Sequence, residues 1–258
     1  MTEESRTTHK ILLAVMLLLP MAANAQIGDH RNDLSVGFNA GYTMSNVGFS
    51  PDVPQSQLGG MTAGITFRYT CEKYFNSICA IVSEVNLTQM GWKEKINDIN
   101  DAPVINSVTK LPEEYQRQLT YVQVPLMARL GWGRERKGFQ AFFQLGPQFG
   151  FFLNDKAKQN FEYDERNISD RVGVQQYAYQ DTMSVQNKFD YGIAVGMGLE
   201  FSRPKIGHFL LEARYYYGLG NVFKNSKADT FGKSNNNCIA IKIAYLFDIL
   251  RTKNPKIK

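Results

Sequence analysis

Few side chains in this 258-residue chain are of the types that carry out catalysis. The chain has three histidines, His9, His30 and His208, and three cysteines. Histidine is the commonest general base, but His30 precedes the first predicted strand and His208 opens the seventh, away from the long loops. The sequence also lacks a nucleophile elbow, a phosphate-binding loop and ligand spacing for a metal. It therefore predicts a protein that is not an enzyme and has no cofactor or metal site.

A second set of groups consists of charged side chains at alternate positions of apolar segments. Alternate side chains of a strand point to opposite faces, so these charges share the inward face. A buried charge without a partner is very costly. We therefore expect a network of ion pairs in which Arg214 pairs with Glu200 or Glu84. The members of this predicted network are Arg68, Glu84, Arg129, Glu200, Glu212, Arg214 and Lys242.

The segments that must position these charges alternate bulky apolar residues with small or polar ones. In 191–201, for example, Tyr191, Ile193 and Val195 share one parity, whereas Gly192 and Ala194 share the other. The pattern predicts eight strands, near 33–45, 60–70, 79–92, 117–130, 138–153, 187–202, 207–221 and 236–248. The connections between them alternate between short and long. Even strand numbers, short periplasmic turns and long external loops are typical of outer-membrane barrels.

The same alternation would also suit a soluble barrel or sandwich with its apolar face inside. Two observations favour the membrane. The small face is rich in glycine rather than in the lysine, glutamate and threonine of a solvated face, as a narrow lumen requires. Aromatic residues such as Tyr42, Tyr69 and Phe247 lie near strand ends, as interfacial girdles do. We therefore predict an all-β fold, an eight-stranded antiparallel transmembrane β-barrel in the cell outer membrane.

The first 25 residues have the features of a secretory signal peptide. Arg6 and Lys10 precede a short apolar run, and Ala23-Asn24-Ala25 provides a small-residue cleavage site. The run is too short to span a bilayer, which takes ~20 residues. We therefore expect a cleaved signal peptide at 1–25 and one outer-membrane β-barrel domain at 26–258.

Several strands resemble a known family. The segments LSVGFNAGYTMSNV, TYVQVPLMARL, GFQAFFQLGPQFGFFL and YGIAVGMGLEF, with Val124-Pro125-Leu126 and Gly146-Pro147 as the most specific pieces, are similar to the PorT-like outer-membrane β-barrel family of Bacteroidetes. The resemblance covers nearly the whole mature chain and implies an eight-stranded barrel. The founding member of that family is tied to protein secretion by the type IX system, but most members have no assigned activity.

Two further features leave alternatives open. Cys71 and Cys79 flank the first periplasmic turn on the same face and are a possible disulfide, although the register between their strands is unknown. The long loop 154–186 carries Phe161, Tyr163, Tyr177 and Tyr179, which either contact an external partner or cap the barrel mouth. We expect this loop to extend the strands as a short hairpin and to be the main contact surface.

The predicted function follows from these features. An eight-stranded interior is filled by side chains, so we favour a plugged lumen and a structural or docking role in the envelope, with a possible link to protein secretion. A small porin-like channel is the alternative. The expected partners are outer-membrane lipid, lipopolysaccharide and envelope or secretion-system proteins. The basic residues suit anionic headgroups, so we expect no nucleic acid, and we expect a monomer.

Overall fold

Eight long antiparallel strands close into one barrel in the computed structural model, which describes residues 29–177, 180–225 and 229–252. The barrel strands are β1 (Asp29–Ser50), β3 (Leu58–Tyr74), β4 (Ser77–Glu94), β5 (Tyr115–Gly133), β6 (Gly138–Gln159), β7 (Phe189–Arg203), β8 (Gly207–Asn221) and β9 (Lys233–Leu250), and β2 (Gln55–Ser56) is a short strand added to the end of β4. Pairing of β1 with β9 closes the ring. The predicted all-β, eight-stranded fold is confirmed.

The connections alternate in length as expected. At one end of the barrel, β3 and β4, β5 and β6, and β7 and β8 are joined by turns at 75–76, 134–137 and 204–206. At the other end the connections are 51–57, 95–114, 160–188 and 222–232, and they include three short 3-10 helices, Tyr163–Glu165, Ile168–Asp170 and Gly173–Gln176. Within the described residues, no helix is long and apolar enough to cross a membrane. The predicted signal peptide, 1–25, lies outside the described residues.

The stagger of the strands fixes the width of the barrel. Following paired residues once around the ring from Ser77 on β4 leads back to β4 at Leu87, ten residues further along the strand. For eight strands, such a stagger accompanies a tilt of ~35–45° and an interior just wide enough for side chains to fill. The lumen is therefore narrow enough for side chains on opposite strands to meet.

Alternate residues of the central strand segments point to opposite sides of the barrel wall. On β7, Ile193, Met197 and Leu199 are 46–61% exposed on the outside, whereas Ala194 between them is fully buried in the lumen. On β4, Ile81, Val85 and Leu87 point outward and Glu84 inward. The alternation of outward and inward residues therefore runs through β4 from Ile81 to Leu87 without interruption. A bilayer satisfies such an apolar outer band because lipid tails need no polar partners.

Toward the end that carries the long connections, the outer face of the barrel becomes polar and the inner face becomes mostly apolar. The outward residues of β5 change from Leu130 and Leu126 to Gln118 and Gln116. The inward residues change from Arg129 to Tyr121, Leu119 and Tyr115, with Arg117 as the one charged residue among them. A β-bulge on β6, opposite Thr120 and Tyr121, accompanies the change. Above this level the barrel has an apolar interior and a polar exterior, as a barrel in water does. This change therefore marks the outer edge of the membrane-spanning band.

Placing a charge on the lipid face tests this boundary. We expect Val195→Arg to lower the free energy of unfolding in lipid vesicles by about 2–4 kcal/mol, because the guanidinium would lie near the bilayer midplane. The control is Asn154→Arg on β6, which points outward above the apolar band. Urea titrations should show a lower free energy of unfolding only for Val195→Arg. An equal decrease for Asn154→Arg would mean that the membrane-spanning band extends beyond the position of Asn154.

Candidate functional site in the lumen and external cap

The central charged layer of the lumen is built around Glu84 on β4 and Glu212 on β8. Arg214 donates to both oxygens of Glu84 at 2.8 and 2.9 Å, and its Nε donates to Glu212 at 2.6 Å. Lys242 Nζ lies 2.6 Å from Glu84, and Gln144 donates to Glu212 at 2.6 Å. Two carboxylates thus face two cations, so the layer is electrically neutral. Every member is 7% exposed or less.

A second charged layer lies nearer the periplasmic end and is built around Glu200 on β7. Arg68 donates to both Glu200 oxygens at 2.7 and 2.8 Å, and Arg129 also bonds to Glu200. The imidazole of His208 bridges Glu200, 2.6 Å from its Nδ1, and Asp248, 3.0 Å from its Nε2. The Arg129 guanidinium also lies 3.8 Å from the centre of the Phe142 ring. This layer again sets two guanidinium groups against two carboxylates.

The structure places all seven predicted lumen residues inside the barrel, and it shows which of the two predicted partners Arg214 contacts. Arg214 pairs with Glu84 across the lumen and not with Glu200. The reason is register: Gly196 lies opposite Arg214 on β7, whereas Glu200 lies opposite Leu210. Sequence reasoning missed His208 and Asp248 as members of the network. Strand parity could have identified both residues. His208 lies on β8 at the same inward parity as Arg214, and Asp248 lies on β9 at the same inward parity as Lys242.

The periplasmic mouth is closed by further ion pairs. Arg31 donates to Glu135 at 2.7 Å, and Arg136 lies 3.4 Å from Asp33 and donates to the Thr252 carbonyl at 2.7 Å. The cavity between this rim and Glu200 has a volume of about 20 Å³, room for about one water molecule. The charged interior therefore has no wide opening at this end among the described residues.

The external mouth is closed by an apolar core, which we call the external cap. Inward residues of the upper strand segments pack against residues of the long connections. Phe49 packs edge-on to Trp92 at 5.4 Å between ring centres and contacts Phe231 at 4.9 Å. The buried members are Val47, Phe49, Val53, Met90, Trp92, Ile96, Val104, Tyr115, Leu119, Tyr121, Phe161, Val174, Val222, Phe223 and Phe231. The connections thus fold over the barrel instead of projecting from it.

The loop aromatics divide between this cap and the surface. Phe161 is 4% exposed and belongs to the cap core, so it is not an external contact. Tyr163 is half-buried, with its hydroxyl donating to the Asp181 carbonyl at 3.3 Å, and Tyr177 is 63% exposed. Tyr179 lies outside the described residues. The expected hairpin is wrong, because β6 ends at Gln159 and the chain returns through 3-10 turns that cover the mouth.

Buried polar groups tie the cap to the strands. Arg171 donates to Glu113 at 2.7 Å, Arg166 to Asp181 at 2.9 Å and Arg117 to Asp155 at 2.7 Å. Glu94 differs because the hydrogen bonds to its carboxylate from the described residues come from neutral donors, Trp92 at 3.1 Å, Gln180 at 2.8 Å and Gln175 at 3.3 Å. Burial raises the pKa of the Glu94 carboxyl. The cap therefore contains one carboxyl group that is costly to ionise.

The possible bridge between Cys71 and Cys79 is not formed in the structure, where both thiols are free. A β-bulge in β3 between Thr70 and Glu72 sets Cys71 out of the ladder, so that Glu72 pairs with Cys79. Cys238 is also free and is buried in the lumen. The described residues contain no cluster of three or more His, Cys, Asp or Glu side chains that could hold a metal ion.

Comparison with known proteins identifies the family. A sequence model described as "Outer membrane protein beta-barrel domain" matches residues 24–224. The chain belongs to this family. Its location is therefore the outer membrane, in agreement with the prediction. No curated protein matches the chain.

Three solved structures match the chain at low sequence identity. Ail of Yersinia pestis, solved with the heparin analogue sucrose octasulfate, is 14% identical, and the match covers 83% of this chain and 99% of that one with a TM-score of 0.32. OprG from Pseudomonas aeruginosa is 11% identical over 85% and 98% of the two chains, with a TM-score of 0.39. Neisserial surface protein A is 10% identical over 83% and 97%, with a TM-score of 0.39.

The central charged layer generates a stability prediction. Glu84→Gln leaves Arg214 and Lys242 with one carboxylate, so we expect a loss of about 3–5 kcal/mol in the free energy of unfolding. Glu84→Gln combined with Lys242→Met restores neutrality and should lose less than the single variant. Urea unfolding in lipid vesicles would measure both. A double variant that loses the sum of two single losses would contradict a coupled network.

The buried Glu94 carboxyl generates a pH prediction. Because its pKa is raised in the folded state, protonation stabilises the cap, and this stability is lost as pH rises through the raised value. Backbone amides of 95–114 should therefore be better protected from hydrogen exchange at pH 5 than at pH 8, after correction for intrinsic rates. Glu94→Gln should abolish the difference. If the pH dependence of amide protection is unchanged in Glu94→Gln, a titratable group other than Glu94 causes it.

Proposed function

We propose that this outer-membrane protein is a closed barrel that neither conducts solutes nor catalyses a reaction, and that it acts through its surfaces outside the membrane. The observation that carries this proposal is the filling of the lumen at three levels. Two layers of paired charges, around Glu84 and around Glu200, lie below an apolar cap. Opening a pore would separate several buried ion pairs, each of which is costly to break.

The external cap offers a rigid surface for contact. Asn106 is 1% exposed, and its side-chain oxygen accepts hydrogen bonds from the amides of Val108 and Thr109 at 2.9 Å each. The turn held in this way displays Val108 and Leu111, which are 60% and 57% exposed. Exposed apolar side chains on a preordered turn favour binding, since little conformational entropy is lost. This turn replaces the loop aromatics as the proposed external contact.

The periplasmic turns offer a second surface of different chemistry. Arg134, Lys137, Arg203 and Lys205 are exposed there. The resemblance to the PorT-like family supports a further proposal, that this basic rim docks an envelope or secretion-system protein. The rim would favour an acidic partner surface through charge complementarity.

Conductance measurements test the closed barrel. In planar bilayers we expect no steady conductance from the protein, because the layers around Glu84 and Glu200 leave no continuous water path. A variant in which a tight turn replaces 160–188 should also stay closed, since both layers remain. An open-lumen porin reconstituted in the same way is the positive control. Steady conductance from the unmodified protein would favour the small-channel alternative.

Site-specific photocrosslinking in whole cells tests which surface makes contacts. A crosslinking residue at Val108 or Leu111 should capture a partner, whereas one at Lys156, exposed on the outer face of β6, should not. A crosslinker at Lys205 examines the periplasmic rim. Capture at Lys205 alone would transfer the proposed contact from the cap to the periplasmic end.

A further inference from the structure

Regular pairing between the external ends of β7 and β8 is interrupted, and a groove lies in the barrel wall at this point. Pairing between these strands ends at Gly192 and Gly218, although each strand runs three residues further, to Phe189 and Asn221. The end of β8 instead pairs with β9 through Asn221 and Asn235. The resulting groove has a volume of about 460 Å³.

The lining of the groove changes from apolar to polar along its length. Phe189, Tyr191 and Leu219 are 46–48% exposed on the outer face and form the apolar part. The apolar part continues into the aromatic surface of the barrel, since Phe189 stacks on Tyr191 at 6.1 Å and on Phe149 at 6.2 Å between ring centres. The polar part is formed by Gln186, Asn187, Lys188, Asn221 and Asn225. The groove therefore straddles the outer edge of the membrane-spanning band.

The charges near the polar part are positive. Lys188 lines the groove, is exposed and forms no ion pair with any of the described residues. Lys224 adjoins it, since the Lys224 amide donates to the Gln186 side chain at 3.0 Å, and Lys233 lies 3.3 Å from the Tyr217 hydroxyl on the same outer surface. Asp190, the acidic residue of this part of β7, is buried in the lumen and accepts from Asn236 at 3.0 Å.

We propose that this groove binds one phosphorylated glycolipid of the outer leaflet. An acyl chain would lie against Phe189, Tyr191 and Leu219, and a phosphate group would lie at Lys188. A lipid fits this site because it supplies both chemistries at the level where the outer surface changes from apolar to polar. A free anion would leave the apolar part uncovered, and an uncharged apolar ligand would leave the lysine without a partner.

Native mass spectrometry of the full protein released from detergent can test the site. The probe is lipid A that carries its phosphate groups, compared with dephosphorylated lipid A and with phosphatidylethanolamine. We expect one molecule of phosphorylated lipid A to be retained in preference to dephosphorylated lipid A and to phosphatidylethanolamine, whose phosphate charge is balanced by its own amine. Lys188→Ala should weaken this retention roughly tenfold, the loss of one charge-assisted contact. Leu219→Trp should weaken it by filling the apolar part of the groove.

The matched controls are Lys205→Ala, an exposed lysine at the periplasmic end, and Leu211→Trp, on the lipid face of the same strand. Both should retain lipid as the unmodified protein does, and heat-modifiable migration confirms that all variants are folded. Equal retention of dephosphorylated lipid A, or an equal loss with Leu211→Trp, would overturn the proposal by showing nonspecific lipid contact. Full displacement of lipid A by inorganic phosphate would overturn it in favour of a simple anion site.

Discussion

The absence of water in the bilayer is the constraint on which the rest of this structure depends. Lipid tails accept apolar side chains only, so every charge on the membrane-spanning segments must point inward. With eight strands staggered by ten residues per turn of the ring, the interior is so narrow that the charges meet. Pairing of opposite charges then becomes a condition of folding, and Glu84 with Arg214 and Lys242, and Glu200 with Arg68 and Arg129, satisfy it.

The same constraint explains why the barrel has a polar outer face and an apolar interior above the membrane. Once the outer face is in water, polar residues such as Gln116 and Gln118 can point outward, and apolar residues such as Leu119 and Trp92 can fill the interior. A hydrophobic core then provides stability in the ordinary way. The cap is therefore a small water-facing core built on a membrane barrel, and the two parts close the same lumen by opposite chemistries.

The strands, their faces and the lumen residues could be predicted because a period of two is a local property of the sequence. The sequence also contains the change from a polar to an apolar interior. On β5, the apolar Tyr121 has the same inward parity as Arg129, and on β1, Phe49 has the same inward parity as Asn39. Partner choice was not readable, because whether Arg214 meets Glu84 or Glu200 depends on register and on stagger around the ring. The burial of Phe161 depends on how four connections pack together, which strand periodicity does not encode.

Cysteine labelling tests most directly whether the lumen is closed to water. Cys238 is 5% exposed inside the barrel, between the external cap and the central charged layer. In a Cys71→Ser, Cys79→Ser variant it is the only thiol that remains. A charged, water-soluble thiol reagent should leave Cys238 unmodified for hours in the folded protein in lipid vesicles and should label it on unfolding. Labelling of the folded protein within minutes would show a water-filled lumen and contradict this account.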